Sequence, residues 1–452
     1  MFDLREIASI VAGRLLDEQA ADRQPQRAIH DSRRVDPGDL FVALTGTRVD
    51  GHAFLAEAFA RGAVGALVAE GVDIPGCFSG CIAVPNTLAA LQILAQAWAT
   101  KLPARRVAIT GSNGKTTTRA LLAHLLGGDP RAYEAPKNYN TELGLPLAIL
   151  SMPSEARIGV FELGADRPGD IGRLVDILQP DVGIITSAGP SHLDRFGSID
   201  AVAREKWSLG ERLPADGLLV LNADCAPLRE RLEAEPPACQ VVRVGFEHSD
   251  SQGELQRAVP RVDLLVNSPS MRLSCPVLGR HNATNLLLAA TAAVELGVDP
   301  QTIEQRAATF SPIPHRLQPV PASFGTMLDD TYNANPASTE AALRVLAGYG
   351  PPSVNRLFVF GDMLDLAAIS EREHARIAVL ALELGIDCIL PAGQRATRAC
   401  QAIGGEHFRI VGRHGLVDAI LETAGREAVV LVKGSRALGL ETLISELRSV
   451  TG

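Results

Sequence analysis

Apolar runs of strand length alternate along this chain with longer stretches in which apolar positions recur at three- and four-residue spacing. Near the amino terminus, "DLFVAL" and "VGALVAE" read as strands and "AFLAEAFARGA" as helix, giving a small α/β unit that ends at the linker-like "KLPARR". Further on, "RVAIT", "IGVFELG" and "DVGIITSAG" are almost wholly apolar, as strands covered on both faces must be, and helical segments follow them. That predicts a mostly parallel sheet flanked by helices. From His315 the pattern restarts with "RLFVFGD", "DCILPAG" and "AVVLVKG", which predicts a second doubly wound, Rossmann-like sheet. The expected architecture is α/β throughout, with units at 1–101, 102–314 and 315–452.

Length agrees with three units, since 452 residues exceed one ordinary core. A hydrophobic fraction of 46% and a charged fraction of 21% belong to a globular chain rather than a disordered one. The formal net charge of -9 argues against nucleic acid as a partner. Residues 1–20 lack the pattern of a secretory leader, and no run reaches the ~18 apolar residues of a membrane span. A cytoplasmic protein without a membrane partner is expected. The seven cysteines are scattered, and the closest pair, Cys77 and Cys81, has no histidine nearby to complete a metal site. All seven read as packing residues.

Chemistry enters with "ITGSNGKTTTRALL", Ile109 to Leu122, which joins a buried-strand run to a helix carrying Leu121, Leu122, Leu125 and Leu126 on one face. Gly127 and Gly128 stop that helix. Gly111 and Gly114 are separated only by Ser112 and Asn113, so the loop is shorter than the usual G-x-x-x-x-G-K-[ST] pattern. The geometry that phosphate needs survives: glycines admit oxygen atoms closely, and backbone N–H groups and a helix N-terminus face the anion. Lys115 supplies a point charge to the β- and γ-phosphates, and the Thr116 hydroxyl a ligand for Mg²⁺.

A phosphate loop calls for a metal site, and two later strands end in candidates. Glu162 closes the strand in "VFELGAD", while His192 and Asp194 lie in "SAGPSHLDRFGS", just beyond another strand, where ligands bind in open α/β sheets. Mg²⁺ prefers oxygen, which favours Glu162. Taken alone, His192 reads as a surface or core histidine and Lys206, in "REKWSLGE", as an exposed helical lysine.

The succession of "TGSNGKTTT", "KNYNTELGLP", "FELGAD", "SHLDRFGS", "LGRHNATNLLLAA", "PHRLQ", "DDTYNANP" and "VKGSR" resembles the Mur ligases of bacterial peptidoglycan synthesis, over essentially the whole chain. The amino-terminal "DSRRVDPGDLFVALTGTRVDGHAFL" looks like the uridine-nucleotide-binding domain of the members acting on the longer peptide intermediates. "DDTYNANP" and "VKGSR" are similar to the branch that joins D-alanyl-D-alanine to UDP-N-acetylmuramoyl-tripeptide. The branch adding the third amino acid typically carries a DYAH-type sequence and an Asn-Pro-Arg motif, and neither occurs here. Folylpolyglutamate synthases share the short loop and ATP-dependent amide ligation but normally lack the uridine-binding domain. A phosphate-loop switch or motor has no need of "GRHNATN" and "VKGSR".

The resemblance implies that ATP converts the terminal carboxylate to an acyl phosphate, which the dipeptide amine attacks. It implies that Gly111, Ser112, Asn113, Gly114, Lys115, Thr116 and Thr117 hold the ATP phosphates. Asn282 is expected near the adenine, Arg316 at phosphate and Asp330 at the ribose. Thr116, Glu162, His192 and a carbamylated Lys206 are expected to hold a pair of Mg²⁺ ions, with Lys115, His192 and Lys206 forming the catalytic set. Trp207 and Ser208 follow Lys206 where the family usually has Gly-Glu. Ser32, Arg33, Asp50, Gly51 and His52 resemble the uridine-diphosphate contacts, and Asn138, Asn140 and Thr141 the loop near the muramoyl and peptide moieties. Lys433, Ser435 and Arg436 resemble a site for the acceptor carboxylate or the reacting phosphate. Asn335-Pro336 also fits the cap and first position of a helix ending near Ala347. A monomer is expected, its last domain closing on the central one when ATP and the sugar nucleotide bind.

Overall fold

The structure, a computed structural model, describes residues 1–46, 49–74, 78–128, 132–425 and 427–451. Among them the strands form three sheets of five, nine and five members. The first is parallel through Ala28–Ile29, Leu40–Val42, Gly65–Ala69 and Cys81–Val84, with Arg14–Leu15 antiparallel at one edge. Its last helix, Thr87–Lys101, does not stay within that layer. Leu91, Leu94 and Trp98, on one helical face, share a core with Leu145, Ile149 and Leu174 of the Gly144–Leu150 and Asp170–Leu178 helices.

The central sheet is parallel from Ala132–Glu134 through Ile158–Glu162, Arg105–Thr110, Val182–Ile185, Leu218–Asn222 and Gln240–Gly245 to Ser251–Arg257. Val262–Asn267 and Ser270–Cys275 then add an antiparallel extension. Its strands alternate buried and more exposed positions, a weaker signal than the continuous apolar runs at the centre. Arg105–Thr110 lies between two parallel neighbours, so the carboxyl ends of three strands open into one crevice. Over it lies the Arg280–Glu295 helix, whose Leu286, Leu287, Leu288 and Ala289 are all fully buried.

The third sheet is parallel except for the edge strand Gln318–Ala322, whose Pro319 and Pro321 cannot donate to a second neighbour and suit an edge. Asn335 caps the Pro336–Gly348 helix, as its sequence suggested. The six described cysteines are free, five of them buried; Cys77 lies outside the described residues. No described helix is long and apolar enough to cross a membrane.

Candidate active site

The short glycine loop turns from the Arg105–Thr110 strand into the Lys115–Leu126 helix. Gly111 and Gly114 have φ of 147° and 88°, and a Cβ at either position would lie 2.1 Å from Thr186 Oγ1 or 2.3 Å from Asn285 Oδ1. Only glycine fits both places. The loop is braced from below, because the Ser112 N–H donates to Ser187 O and the Asn113 N–H to Ser187 Oγ, each at 2.9 Å. Gly114 occupies the cap position without a side chain, leaving the first N–H groups of the helix for a ligand.

Lys115 and Thr116 bring the loop to the next strand. Lys115 is half-buried, and its ammonium donates to Gly111 O at 2.6 Å. Burial holds its pKa below the usual lysine value, against the pull of Glu162. Thr116 Oγ1 donates to Glu162 Oε2 at 2.9 Å, and Asn140 Nδ2 to Glu162 Oε1 at 2.9 Å. Burial pushes the Glu162 carboxyl up, but Lys115, Arg119 and these two hydrogen bonds outweigh it and keep its pKa below the ordinary range. The site therefore holds an ionised carboxylate beside a hydroxyl.

Around this pair opens a cleft of about 720 Å³, lined from the central unit by residues 112–117, Asn140, Thr141, Glu162, His192 and Asn282. Arg316, Asp330 and Lys433 line it from the carboxy-terminal unit. Arg316 Nη2 lies 3.4 Å from Thr116 Oγ1, and Asn335 Nδ2 donates to Asn113 Oδ1 at 2.7 Å. Lys433 is 2% exposed and donates to Asp330 Oδ2 at 2.6 Å and to Asn333 O at 3.0 Å, so it is no solvated turn cation. Asn282 donates to Leu278 O and accepts from Asn285. His192, at φ 48°, precedes the Leu193–Phe196 turn of helix with its Nε2 3.6 Å from Asp166 Oδ1.

Other expected residues sit behind or beside the cleft. Ser435 is buried, its hydroxyl accepting from the Leu364 N–H at 2.9 Å, and Arg436 is exposed and paired with Glu441 at 3.3 Å. Asn138 Oδ1 accepts from the Tyr332 hydroxyl at 2.6 Å. Lys206 is 3% exposed rather than the exposed lysine its helix suggested. Burial, then the charge of Lys115, pulls its pKa down to about 7. Trp207 is fully buried, with Nε1 donating to Glu235 O at 3.0 Å, and successive residues leave a helix about 100° apart. The unusual Trp207 thus serves packing.

In the amino-terminal unit, Ser32 and Arg33 follow the Ala28–Ile29 strand, and Asp50, Gly51 and His52 come after Leu40–Val42. Ser32 Oγ donates to Glu57 at 2.6 Å, while Arg33 forks onto Asp31 in solvent. The His52 ring joins Asp50 at 2.6 Å through Nδ1 and accepts the Ala69 N–H at 2.8 Å through Nε2. Both turns stand at carboxyl ends of parallel strands, outside the walls of the central cleft.

Comparison with known proteins follows the same three units. Residues 29–99 match "Mur ligase family, catalytic domain", 109–293 match "Mur ligase middle domain", and 315–436 match "Mur ligase, glutamate ligase domain". The "UDP-N-acetylmuramoyl-tripeptide--D-alanyl-D-alanine ligase" of Escherichia coli (strain K12) is 32% identical over 98% of this chain and 98% of its own. The chain belongs to the Mur ligase family. The Bacillus subtilis (strain 168) protein of the same name is 30% identical over 98% of both chains. A crystal structure of MurF from Acinetobacter baumannii matches with a TM-score of 0.88 at 28% identity, covering 99% of each chain.

Two residues that hold this Mur ligase site together escaped the sequence reading. Arg119, 2% exposed, bonds Glu134 at 3.1 Å and lies 3.8 Å from Glu162. Its signal is a charge on the stripe shared with Leu122 and Leu126. Asn285 packs its amide against Gly114 and bonds Asn282, one helical turn before it. A polar pair at that spacing, just before the apolar run Leu286–Ala290 of this Mur ligase helix, was the available sign.

Proposed function

We propose that this chain is the ATP-dependent ligase that joins D-alanyl-D-alanine to UDP-N-acetylmuramoyl-tripeptide in peptidoglycan precursor synthesis. The observation that carries this is full-length likeness to ligases of that name, combined with a phosphate loop, an ionised Glu162 and Arg316 converging in one cleft. A carboxylate is a poor electrophile, so its phosphorylation by ATP must precede attack by the dipeptide amine, with phosphate leaving as the amide forms. Two anions have to meet, which requires fixed positive charge along their path.

Residues 111–117 cradle the ATP phosphates, Lys115 and Arg316 balance their charge, and Asn282 and Asp330 receive the nucleoside. Ser32, Arg33, Asp50, Gly51 and His52 bind the uridine diphosphate, and Asn138, Asn140 and Thr141 guide the peptide arm. Lys433, held by Asp330, receives the acceptor carboxylate or the reacting phosphate, with Ser435 and Arg436 on the same turn. The functional units are 1–101, 102–314 and 315–452, and the work is done by a monomer in the cytoplasm.

The donor chemistry around Glu162 fits Mg²⁺. A hydroxyl and an ionised carboxylate 2.9 Å apart are hard oxygen donors. No described cluster holds three or more His, Cys, Asp or Glu, so phosphate oxygens and water must complete the shell, as is usual for Mg²⁺ at nucleotides. Thr116, Glu162 and His192 would hold the ion, which supplies neutralisation of phosphate charge. Carbamylation needs a neutral amine, and Lys206, pulled down to about 7, has one available. The carbamate would hold a second ion.

Purified protein with ATP, Mg²⁺ and UDP-N-acetylmuramoyl-tripeptide should release phosphate only when D-alanyl-D-alanine is added. Release without the sugar nucleotide, or indifference to the dipeptide, would overturn the reading.

A further inference from the structure

Three units of the fold meet at three consecutive residues. Tyr139 Oη accepts from Arg34 Nη1 of the amino-terminal unit at 3.5 Å. Asn140 bonds Glu162 of the central sheet at 2.9 Å, and its carbonyl accepts the Gly164 N–H at 2.8 Å. Asn138, at φ 67°, receives the Tyr332 hydroxyl of the carboxy-terminal unit at 2.6 Å. Each contact comes from a different unit, so this segment touches all three.

Tyr332 has a second partner. The guanidinium carbon of Arg316 stands 3.8 Å over the centre of its ring, and that of Arg436 lies 5.8 Å from the same centre. The Tyr332 backbone N–H also donates to His315 O at 3.2 Å, which ties its main chain to the residue just before Arg316. An arginine stacked on an aromatic face keeps its N–H edge free while losing rotational freedom. That edge points toward the phosphate loop, with Nη2 3.4 Å from Thr116 Oγ1.

We infer that Tyr332 is a positioning residue that couples Arg316, on the ATP side, to the 138–140 segment, on the peptide side. The inference rests on the proposed ligase reading for what the two sides bind. One face of the ring aims the cation, and the hydroxyl engages the segment only when the carboxy-terminal unit is docked. Binding of the peptide substrate and delivery of Arg316 are thereby linked through one side chain.

Two substitutions separate the halves of this device. Tyr332→Phe keeps the stack and removes the hydroxyl, so KM for the UDP-linked tripeptide should rise about fivefold, as loss of one hydrogen bond allows, with KM for ATP within about twofold of normal. Tyr332→Leu removes both, so the Kd for ATP measured by calorimetry should also weaken by about tenfold. Asn138→Gly, which tolerates the positive φ, should lose at least as much as Tyr332→Phe because Asn138 also guides the peptide arm, and the double variant should be no worse than Asn138→Gly alone. Unchanged KM for the tripeptide in Tyr332→Phe, additive losses in the double variant, or normal ATP binding in Tyr332→Leu would each overturn the inference. The calorimetric arm needs no peptide substrate, so it judges the stack even if wild-type protein fails the phosphate-release assay and the ligase reading itself falls. Thermal midpoints near wild type for Tyr332→Phe exclude misfolding as the cause.

Discussion

The ammonium of Lys115 rests on the carbonyl of Gly111, 2.6 Å away, within the loop that the two residues bracket. That contact holds the cation over the mouth of the helix, where an incoming phosphate can take the place of the carbonyl. Lys115→Ala should lower kcat for peptide joining by about 10³-fold or more, since a charge aimed at the transferred phosphoryl is removed. Glu162 keeps Arg119 as a counter-charge, so the unfolding midpoint should stay near wild type. Steady-state kinetics beside a thermal melt check both statements.

Glu162 is held ionised by neighbours that do not depend on a ligand. Glu162→Gln keeps the shape and loses the charge, leaving Lys115 and Arg119 less well compensated. The Mg²⁺ concentration for half-maximal activity should rise about 10- to 100-fold. A metal titration at saturating ATP measures it, and an unshifted curve would remove Glu162 from the metal site.

Lys206, with its pKa near 7, is about half neutral at neutral pH and about 1% neutral two units lower. Carbamate formation, which consumes the neutral amine, should therefore run faster at pH 8 than at pH 6. Protein stripped of dissolved carbon dioxide should lose activity and regain it with bicarbonate, and intact-mass measurement should show one added CO₂. Full activity without bicarbonate, at unmodified mass, speaks against the modification.

His374 is fully buried, its Nε2 accepting the Met363 N–H at 2.9 Å and its Nδ1 placed 2.7 Å from Ser370 O. This arrangement requires the neutral ring. Burial lowers its pKa, partly opposed by the Ser370 carbonyl and Asp362 and reinforced by Arg395. A depressed folded pKa makes this contribution complete above the unfolded value of about 6.5 and lost as pH falls below it. The urea midpoint should drop from pH 7 to pH 5 more steeply in wild type than in His374→Gln, and parallel slopes would contradict the assignment.

Trp207 fills the core between its helix and the Ala226–Ala234 helix, so Trp207→Ala should cost about 3–5 kcal/mol of unfolding free energy. Urea unfolding measures this. The remaining folded protein should bind ATP normally, because the indole and Lys206 leave the helix in different directions.

The phosphate loop was legible because its glycines and lysine are adjacent in sequence, and the buried strands because they are unbroken apolar runs. The antiparallel extension at 262–275 was not, since alternation over six residues resembles many surface segments. Contacts such as Asn335 on Asn113, or Tyr332 on Asn138, join residues about two hundred apart in the chain and leave no local trace. Lys206 shows the same limit from another side. Its helix carries enough polar residues to look exposed, and only the packed neighbours reveal that the amine is enclosed.

The Thr87–Lys101 helix belongs by sequence to the first unit and is packed between the first two, with Trp98 edge-on to Phe2 at 5.5 Å and the same cluster holding Leu145, Ile149 and Leu174. Any attempt to exchange recognition modules between relatives by cutting after Lys101 would tear Leu91, Leu94 and Trp98 from the partners they were selected beside. A graft that transplants the Gly144–Leu150 and Asp170–Leu178 surfaces together with the module keeps that seam closed.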